Sequence, residues 1–257
     1  MLRKRIIPCL LLSNHHLVKT IGFSEPKQIS EPIYAIKIFN DYEADELIIL
    51  DIDASKKIYN GSDHRFPYEL IGKISEESWM PLTFGGGIRS IDEIRQIFFM
   101  GIEKVCISSF GIHDPSFITE AALKFGRQSI VVSIDYRYTE SGPVVYTHGG
   151  LCSTGMTPSH CAELMEQSGA GEILIHCIDK DGTYSGYDYQ VINQISSTVN
   201  IPVIALGGAG NYSDLKEALD AGADAAAAGS IFVFFGKKKT VLINYPDDDE
   251  KKEILNE

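Results

Sequence analysis

Short runs of apolar and β-branched residues recur along the chain at fairly regular intervals. Such runs predict buried strands, because a parallel sheet is covered on both faces and its strands read as continuous apolar stretches. Eight runs have this character: RIIPCLLL from Arg5, ELIILDI from Glu46, PLTF from Pro81, KVCIS from Lys104, SIVVSID from Ser129, EILIHCI from Glu172, PVIAL from Pro202 and ADAAAA from Ala223.

Amphipathic segments with a helical period lie between most of these runs. Helices are predicted over 91–100, 116–125, 158–168 and 213–221. Thr157 and Pro158 form a typical helix start, and a glycine follows each helix end. Those glycines are Gly101, Gly126, Gly169 and Gly222. Eight alternating β and α units predict either a closed barrel or an open doubly wound sheet.

An internal repeat favours the closed barrel. The stretch that begins PLTFGGGI at Pro81 aligns with PVIALGGAG from Pro202, with Gly86 over Gly207 and Ser109 over Ser230. The repeat extends backwards to the earlier strands, so one half of the chain resembles the other. We therefore predict a (β/α)₈ TIM barrel with a two-fold half-barrel repeat.

Composition narrows the kinds of partner. The 257 residues carry a net charge of −12 with no long basic block, which disfavours nucleic acid and anionic membranes as general partners. The basic and apolar start resembles a signal peptide, but Pro8 interrupts the run and no cleavage site follows, so we expect a strand there. No apolar segment approaches the length of a membrane helix.

Cysteine usage and chain length complete this picture. The five cysteines include no CxxC pair, which predicts reduced thiols, a cytoplasmic location and no metal site. No organic cofactor is expected, because the glycine motifs lack a dinucleotide fingerprint. We expect one domain over residues 1–257, with residues 236–257 as an atypical charged tail whose acidic run, 247–250, is solvated.

Two glycine and serine motifs predict phosphate binding. Exposed backbone N–H groups of glycines and the hydroxyl groups of serines can surround an anion at the carboxyl end of a strand. The first motif contains Gly86 and Gly87, followed one unit later by Ser108 and Ser109. The second half repeats the pattern with Gly208, Gly229 and Ser230. Two matching motifs indicate a ligand that is phosphorylated at both ends.

Carboxylates follow several strands, at the catalytic end of such a barrel. Asp51 ends the second strand, and Asp181 and Gly182 follow the sixth, where they are equally well interpreted as a helix cap and turn. Asp135 ends the fifth strand on the inward face and is a candidate general acid or base. Superposition of the two halves puts Leu11 where Asp135 stands, so a second, opposed carboxylate is absent.

A charged group is predicted at the opposite end of the barrel. Two cations and two acids stand near the starts of strands one, two, four and six: Arg5, Glu46, Lys104 and Glu172. These four side chains could form a neutral ring across the barrel. Their spacing alone favours a structural ion-pair network.

These residues resemble those of the HisF family, the cyclase subunit of imidazole glycerol phosphate synthase. The segments that carry the resemblance occur in the family's order: RIIPCL, DELIILDIDAS, FGGGI, VVSID, GAGEIL, IDKDGTYSGYD and GGAG. In that family, ammonia from a glutaminase partner is joined to a doubly phosphorylated aminoimidazole precursor in histidine biosynthesis. The resemblance therefore implies a HisH-like glutaminase subunit as partner and a phosphorylated small molecule as ligand.

The resemblance also implies roles for individual residues. It assigns Arg5, Glu46, Lys104 and Glu172 to a gate through which ammonia enters the barrel, in place of a purely structural network. Gly86, Gly87, Ser108 and Ser109 correspond to one phosphate site, and Asp181, Gly182, Gly208, Gly229 and Ser230 to the other. Asp135 corresponds to one of two catalytic aspartates, and Lys19 and Asp51 to the catalytic mouth.

The chain departs from the family pattern at the mouth. Leu11 replaces the other catalytic aspartate, Leu206 a serine, Ser108 an asparagine and His176 a threonine, and the end of the chain lacks a regular final helix. This combination resembles the WbuZ-type branch, which is associated with an N-acetyl sugar amidotransferase that builds acetamidino groups on bacterial surface polysaccharides. In that setting the barrel receives ammonia and passes it on, and its own cyclase chemistry is dispensable.

Two alternatives remain open. The chain could be a cyclase of histidine biosynthesis that uses Asp135 with another group in place of Leu11, because loss of a positioned acid or base costs about 10²–10⁴-fold in rate rather than all activity. A related phosphosugar isomerase is a further alternative, although that chemistry also uses an aspartate on the first strand. Leu11 counts against both.

Overall fold

The computed structural model describes residues 3–24, 26–62, 66–236 and 240–256. Eight parallel strands form the centre: β1 (Arg5–Ser13), β2 (Leu47–Asp51), β3 (Leu82–Gly85), β4 (Lys104–Ile107), β5 (Ile130–Thr139), β6 (Glu172–Cys177), β7 (Val203–Leu206) and β8 (Ala225–Ala228). Each strand pairs with the next, and β8 pairs with β1, which closes the sheet. The predicted (β/α)₈ barrel is confirmed, and all eight predicted strands form.

Ten α-helices are present in the described parts of the chain. Their bounds are α1 (Pro32–Asp41), α2 (Ala54–Tyr59), α3 (Tyr68–Glu77), α4 (Ile91–Phe99), α5 (Ser109–His113), α6 (Pro115–Phe125), α7 (Pro158–Gln167), α8 (Tyr189–Thr198), α9 (Tyr212–Asp220) and α10 (Asp248–Leu255). The four helices predicted from the sequence correspond to α4, α6, α7 and α9, with ends that differ by one residue.

The half-barrel repeat is visible in the way that matched helices begin. Helix α4 starts with a capping box between Ser90 and Glu93, and α9 starts with one between Asn211 and Asp214. In both, the cap side chain accepts from the backbone of the third helical residue, whose carboxylate accepts in return from the backbone of the cap. Equivalent sequence positions therefore build the same turn after β3 and after β7.

Two antiparallel extensions cover the carboxyl end of the barrel. After β1, the strand His16–Lys19 folds back and pairs with Lys27–Ser30, and after β5 the strand Gly142–Thr147 does the same and pairs with Cys152–Ser153. These extensions occupy equivalent places in the two halves. They bring side chains from distant parts of the sequence over the barrel mouth.

The hydrophobic core has two layers. The larger one lies between the strands and the helices, and the smaller one fills the barrel interior. The inner layer consists of Ile7, Cys9, Leu11, Val18, Ile48, Cys106, Val131, Leu174, Ile204, Leu206, Ala225 and Ala227. The lumen of the barrel is therefore lined mainly by apolar side chains.

The end of the chain differs from the sequence expectation. A regular final helix was not expected, but the acidic run caps one: the Asp247 carboxylate accepts from the backbone of Asp249 and Glu250 at 3.1 and 2.9 Å, and α10 follows. Ile254 and Leu255 on this helix are buried. Residues 237–239 and 257 of the predicted tail lie outside the described residues. Among the helices described, none is long and apolar enough to cross a membrane.

Candidate functional site

The predicted ring of charges forms at the amino-terminal end of the barrel, which we call the floor. Arg5 lies 2.6 Å from Glu46 and 3.3 Å from Glu172, and Lys104 lies 3.2 and 3.0 Å from the same two carboxylates. Each cation therefore contacts both acids. Burial lowers the pKa of Arg5, but the attraction of Glu172 and then Glu46 outweighs it, so the pKa is raised overall.

Glu46 is the most buried member of the ring. Its side chain is 4% exposed, against 12–20% for the other three, and it also accepts a hydrogen bond of 2.8 Å from the Thr83 hydroxyl. Thr83 was not singled out by the sequence, although period two along β3 directs it inward. The ring is neutral and closes the lower end of the apolar lumen.

Two cavities open at the other end, which we call the mouth. The larger has a volume of about 170 Å³ and is lined by the first glycine and serine motif, together with Asp51 and Asp135. The smaller, of about 30 Å³, is lined by the second motif, Lys19 and Asp181. Leu11 and His176 line both cavities. The structure thus brings the predicted mouth residues together, in two unequal compartments.

The first motif forms an open cradle beside the larger cavity. Gly86 has a φ of +125°, and an added Cβ atom would lie 2.5 Å from the carbonyl oxygen of Asp51, so only glycine fits there. Ser109 accepts a hydrogen bond from the backbone of His148 at 2.8 Å. The buried hydroxyl of Ser108 has no hydrogen-bond partner within the described chain, as expected for a donor that awaits a ligand.

Lys19 occupies the second cradle. Its side chain is buried, and its amine donates to the carbonyl oxygen of Cys9 at 2.9 Å. The amine lies so close to Gly229 that a Cβ atom there would be 2.1 Å away. Burial lowers the pKa of Lys19. A cavity of this size holds only one or two water molecules, so a phosphoryl group would enter only if Lys19 moved.

Backbone geometry keeps the rest of the second cradle in shape. At Gly208 a Cβ atom would lie 2.2 Å from the carbonyl oxygen of Gly186. Gly182 has a φ of +69°, and Ser230 begins a short 3₁₀ turn. Asp181 points inward, where it accepts from the Thr20 hydroxyl at 2.7 Å. Its carboxylate therefore belongs to the charged centre of the mouth rather than to an anion site.

His176 joins two carboxylates at the point where the cavities meet. Its ring nitrogens lie 3.7 Å from Asp135 and 3.7 Å from Asp181, which is ion-pair rather than hydrogen-bond distance. Burial lowers the pKa of an imidazole, but Asp135 and Asp181 outweigh it and raise the pKa of His176 to about 9. The histidine is therefore charged at neutral pH.

The pKa of Asp181 is shifted in the opposite direction from that of His176. Burial raises the pKa of a carboxyl group, but the contact with His176, followed by Thr20 and Lys19, lowers the pKa of Asp181 overall. Asp135 accepts from the Ser133 hydroxyl at 3.1 Å. The mouth can thus hold a proton on His176 between two carboxyl groups, which is an arrangement suited to acid–base work.

The remaining candidates have local roles. Leu11 is 7% exposed and packs in the apolar lumen, so it offers neither charge nor hydrogen bond. Asp51 accepts from the backbone of Asp53 and Ala54 at 3.0 and 3.2 Å and so orients the start of α2. Among the residues described, no group of His, Cys, Asp and Glu side chains could hold a metal ion.

One cluster, at the rim of the larger cavity, was not identified from the sequence. His113 and His148 come together there around Thr147, next to Lys56. His113 lies in α5, Lys56 in α2, and Thr147 ends the first strand of the β5 extension, with His148 directly after it. No periodic pattern of the sequence connects these segments. In the sequence, the cluster is indicated only by the position of each histidine next to a segment that follows a strand.

Comparison with known proteins agrees with this geometry. Residues 5–239 match the family described as histidine biosynthesis protein. Imidazole glycerol phosphate synthase subunit HisF of Lactococcus lactis subsp. cremoris strain SK11 is 45% identical over 99% of this chain and 100% of its own length. The HisF subunit of Chloroherpeton thalassium is 43% identical over 91% of this chain and 92% of its own.

A relative with a provisional name is equally similar. A Pseudomonas aeruginosa protein named provisionally as imidazole glycerol phosphate synthase subunit hisF2 is 45% identical over 96% of this chain and 97% of its own length. Matches of this identity over nearly complete chains, together with the family match over residues 5–239, establish that the chain belongs to the HisF family of histidine biosynthesis proteins.

Proposed function

We propose that this barrel receives ammonia from a HisH-like glutaminase at its floor and passes it through the lumen for the amidation of an N-acetyl sugar in surface polysaccharide biosynthesis. The observation that carries the proposal is the contrast between a complete charged ring at the floor and Leu11 at the mouth. The entrance for ammonia is retained, whereas one of two opposed carboxylates is replaced by an apolar side chain.

The interior supports conduction of neutral ammonia. Between the ring and the mouth the lumen contains Ile7, Ile48, Cys106 and Ala227, all buried and apolar. An apolar passage excludes ammonium ions, which would lose their hydration, but admits the uncharged molecule. The side chains of Arg5 and Lys104 are long and 17–20% exposed, so a docked partner can displace either one and open a ring that is otherwise closed.

Apolar side chains near the ring support a partner at the floor. Trp79 lies in the turn before β3, Phe99 ends α4, and Leu123 lies in the last turn of α6; they are 82%, 91% and 82% exposed. All three are at the amino-terminal end of the strands, the same end as the ring. Exposed large apolar residues around an opening are typical of a protein interface.

The first experiment tests whether the mouth has kept its own chemistry. Purified protein is assayed with the phosphorylated aminoimidazole precursor and excess ammonium salt, beside Leu11→Asp and the matched control Leu11→Asn, which is polar but cannot accept a proton. We expect no turnover by the native protein and the Asn variant. Turnover gained only by the Asp variant supports the proposal, and robust native turnover rejects it.

The alternative is a cyclase of histidine biosynthesis. The specific observation in its favour is that Asp135, both glycine and serine cradles and a charged imidazole at His176 remain at the mouth, and that relatives over 40% identical are named as synthase subunits. Robust native turnover in the assay above, lost in Asp135→Asn, is the result that would establish this alternative.

A second experiment tests the gate. Glu46→Gln and Lys104→Met are compared with Lys73→Met, which removes an exposed lysine from a helix surface pair with Glu69. In the complex with the glutaminase, we expect the two ring variants to hydrolyse glutamine without matching amidation, and Lys73→Met to stay coupled. Full coupling in both ring variants would reject the gate assignment.

A further inference from the structure

Two histidines are held together at the rim of the larger cavity. The hydroxyl of Thr147, whose side chain is fully buried, lies 3.3 Å from Nε2 of His113 and 3.1 Å from Nδ1 of His148. A hydroxyl group carries one proton, so it donates to one imidazole and accepts from the other. We call His113 and His148 the histidine pair. Within the described chain, the second nitrogen of each ring has no hydrogen-bond partner.

The histidine pair is attached directly to the first cradle. The backbone N–H of His148 donates to the Ser109 hydroxyl at 2.8 Å. His148 and Gly149 both have left-handed backbones, with φ of 55° and 66°, and a histidine in this region persists only where its surroundings hold it. A Cβ atom at Gly149 would lie 2.6 Å from Cε of Lys56. Lys56, His148 and Ser109 are therefore packed as a unit.

Fixed cations and carboxylates both line the cavity beside the pair. Lys56 and Arg89 line the same cavity, and the Tyr59 ring lies 5.1 Å from His148. The carboxylates that line it are Asp51 and Asp135, and hydrogen bonds engage them with the start of α2 and with Ser133. Lys56 and Arg89 at this rim can therefore attract an anion to the histidine pair.

The protonation state of His148 can respond to a bound anion. Burial, followed by the nearby His113, lowers the pKa of His148. In the free protein at neutral pH this ring is therefore neutral. A bound anion next to it would favour the charged form and raise its pKa, and the proton would come from solvent.

We propose that the histidine pair extends the first cradle into a binding site for a phosphomonoester dianion, and that one imidazole takes up a proton from solvent as the ester binds. This inference rests on the phosphate role proposed for the first cradle. The cradle supplies the Ser108 and Ser109 hydroxyl groups, and the protonated ring donates to a phosphate oxygen. The organic part of the ester then lies against the apolar side chains of Leu11 and Leu50, which line the same cavity.

The test follows the histidine rings by NMR while pH is varied, with and without saturating inorganic phosphate, glycerol phosphate or sulfate. We expect the pKa of one member of the pair to rise by about one unit with each anion, while the ring of exposed His160 does not respond. Sulfate keeps two charges throughout, so its affinity should increase steadily as pH falls. Glycerol phosphate, a phosphomonoester, loses its second charge near pH 6, so its affinity should pass through a maximum.

Variants separate the pair from the cradle. In His113→Gln and His148→Gln we expect phosphate affinity to fall about 5- to 10-fold and its pH dependence to flatten, with His160→Gln as the unaffected control. If native protein binds phosphate and both ring pKa values stay unchanged, the role of the pair is rejected while the cradle stands. If native protein binds none of the three anions, the cradle assignment and the inference are both rejected.

Discussion

The floor ring and the group around His176 at the mouth each combine two basic side chains with two carboxylates, but the two groups are built differently. At the floor, Arg5 and Lys104 each contact Glu46 and Glu172 at 2.6–3.3 Å. At the mouth, His176 lies 3.7 Å from both Asp135 and Asp181, and the amine of Lys19 donates to a backbone carbonyl instead. The floor is a tight closed ring, and the mouth is a loose group around one imidazole.

The difference determines how each end can respond. Arginine and lysine keep their charge at any ordinary pH, so the floor cations depend on the two glutamates for neutralisation. A histidine can lose its proton when a carboxylate is removed. The floor is therefore expected to be stable and sensitive to substitution, and the mouth to be adaptable. A fixed entrance beneath an adaptable binding region agrees with the proposed transfer of ammonia.

The largest effect is expected when the floor ring is broken. Glu46→Gln keeps an acceptor for Thr83 but leaves two cations with Glu172 alone, which should lower the free energy of unfolding by about 2–4 kcal/mol. Asp135→Asn at the mouth should cost about 1 kcal/mol, because His176 can discharge. Urea unfolding measures both. Equal losses would contradict the distinction between a fixed floor and an adaptable mouth.

His176 at the mouth should make the stability of the protein depend on pH. The pKa of His176 is about 9 in the folded protein, against 6.5 for an ordinary histidine. Its contribution, on the order of 3 kcal/mol at most, is fully present below pH 6.5 and is lost as the pH rises through 9. His176→Asn should remove this loss between pH 6.5 and 9. An unchanged pH profile of unfolding in this variant would reject the charged state of His176.

Two lysines offer a matched comparison of the ends. Lys104→Met removes a cation that two carboxylates share, and we expect a loss of about 2 kcal/mol. Lys19→Met removes a buried amine whose pKa is lowered by burial, and the apolar side chain should change the free energy of unfolding by less than about 1 kcal/mol in either direction. Thermal unfolding at constant pH measures both. A larger loss at Lys19 than at Lys104 would reverse the comparison.

The sequence predicted the features that repeat and missed those that do not. The apolar runs and the matched glycines predict the barrel. Period two along β1 puts Arg5, Cys9 and Leu11 on one inward face, so the sequence also predicts a charge at the floor and a missing carboxylate at the mouth. The histidine pair could not be predicted, because His113 and His148 are 35 positions apart in segments without a common pattern. The resemblance placed Lys19 at the mouth, but the approach of its amine to Gly229 could not be predicted, because it depends on the fold of the β1 extension.

The C-terminal segment of the chain contacts the backbone next to the floor ring. Tyr245 is 3% exposed and donates to the carbonyl oxygen of Ile6 at 2.6 Å, and it accepts from the backbone of Asp45. Ile6 and Asp45 are the neighbours of Arg5 and Glu46, so this phenol fixes the backbone beneath two members of the ring. Lys251 of α10 lies over the Tyr245 ring at 5.0 Å. The segment predicted as a charged tail thus supports the floor.

The smallest effect is expected when this support is weakened. Tyr245→Phe removes the hydroxyl group that makes both of these hydrogen bonds and should lower the free energy of unfolding by about 1–2 kcal/mol, as measured by urea unfolding. Tyr212→Phe, which removes a hydrogen bond to Asn244, is the matched control away from the ring. If Tyr245 positions the ring, its variant alone should also reduce coupling between glutamine hydrolysis and amidation. Equal coupling in both variants would limit Tyr245 to a structural role, and the rigidity of the floor would then come from its four charged side chains alone.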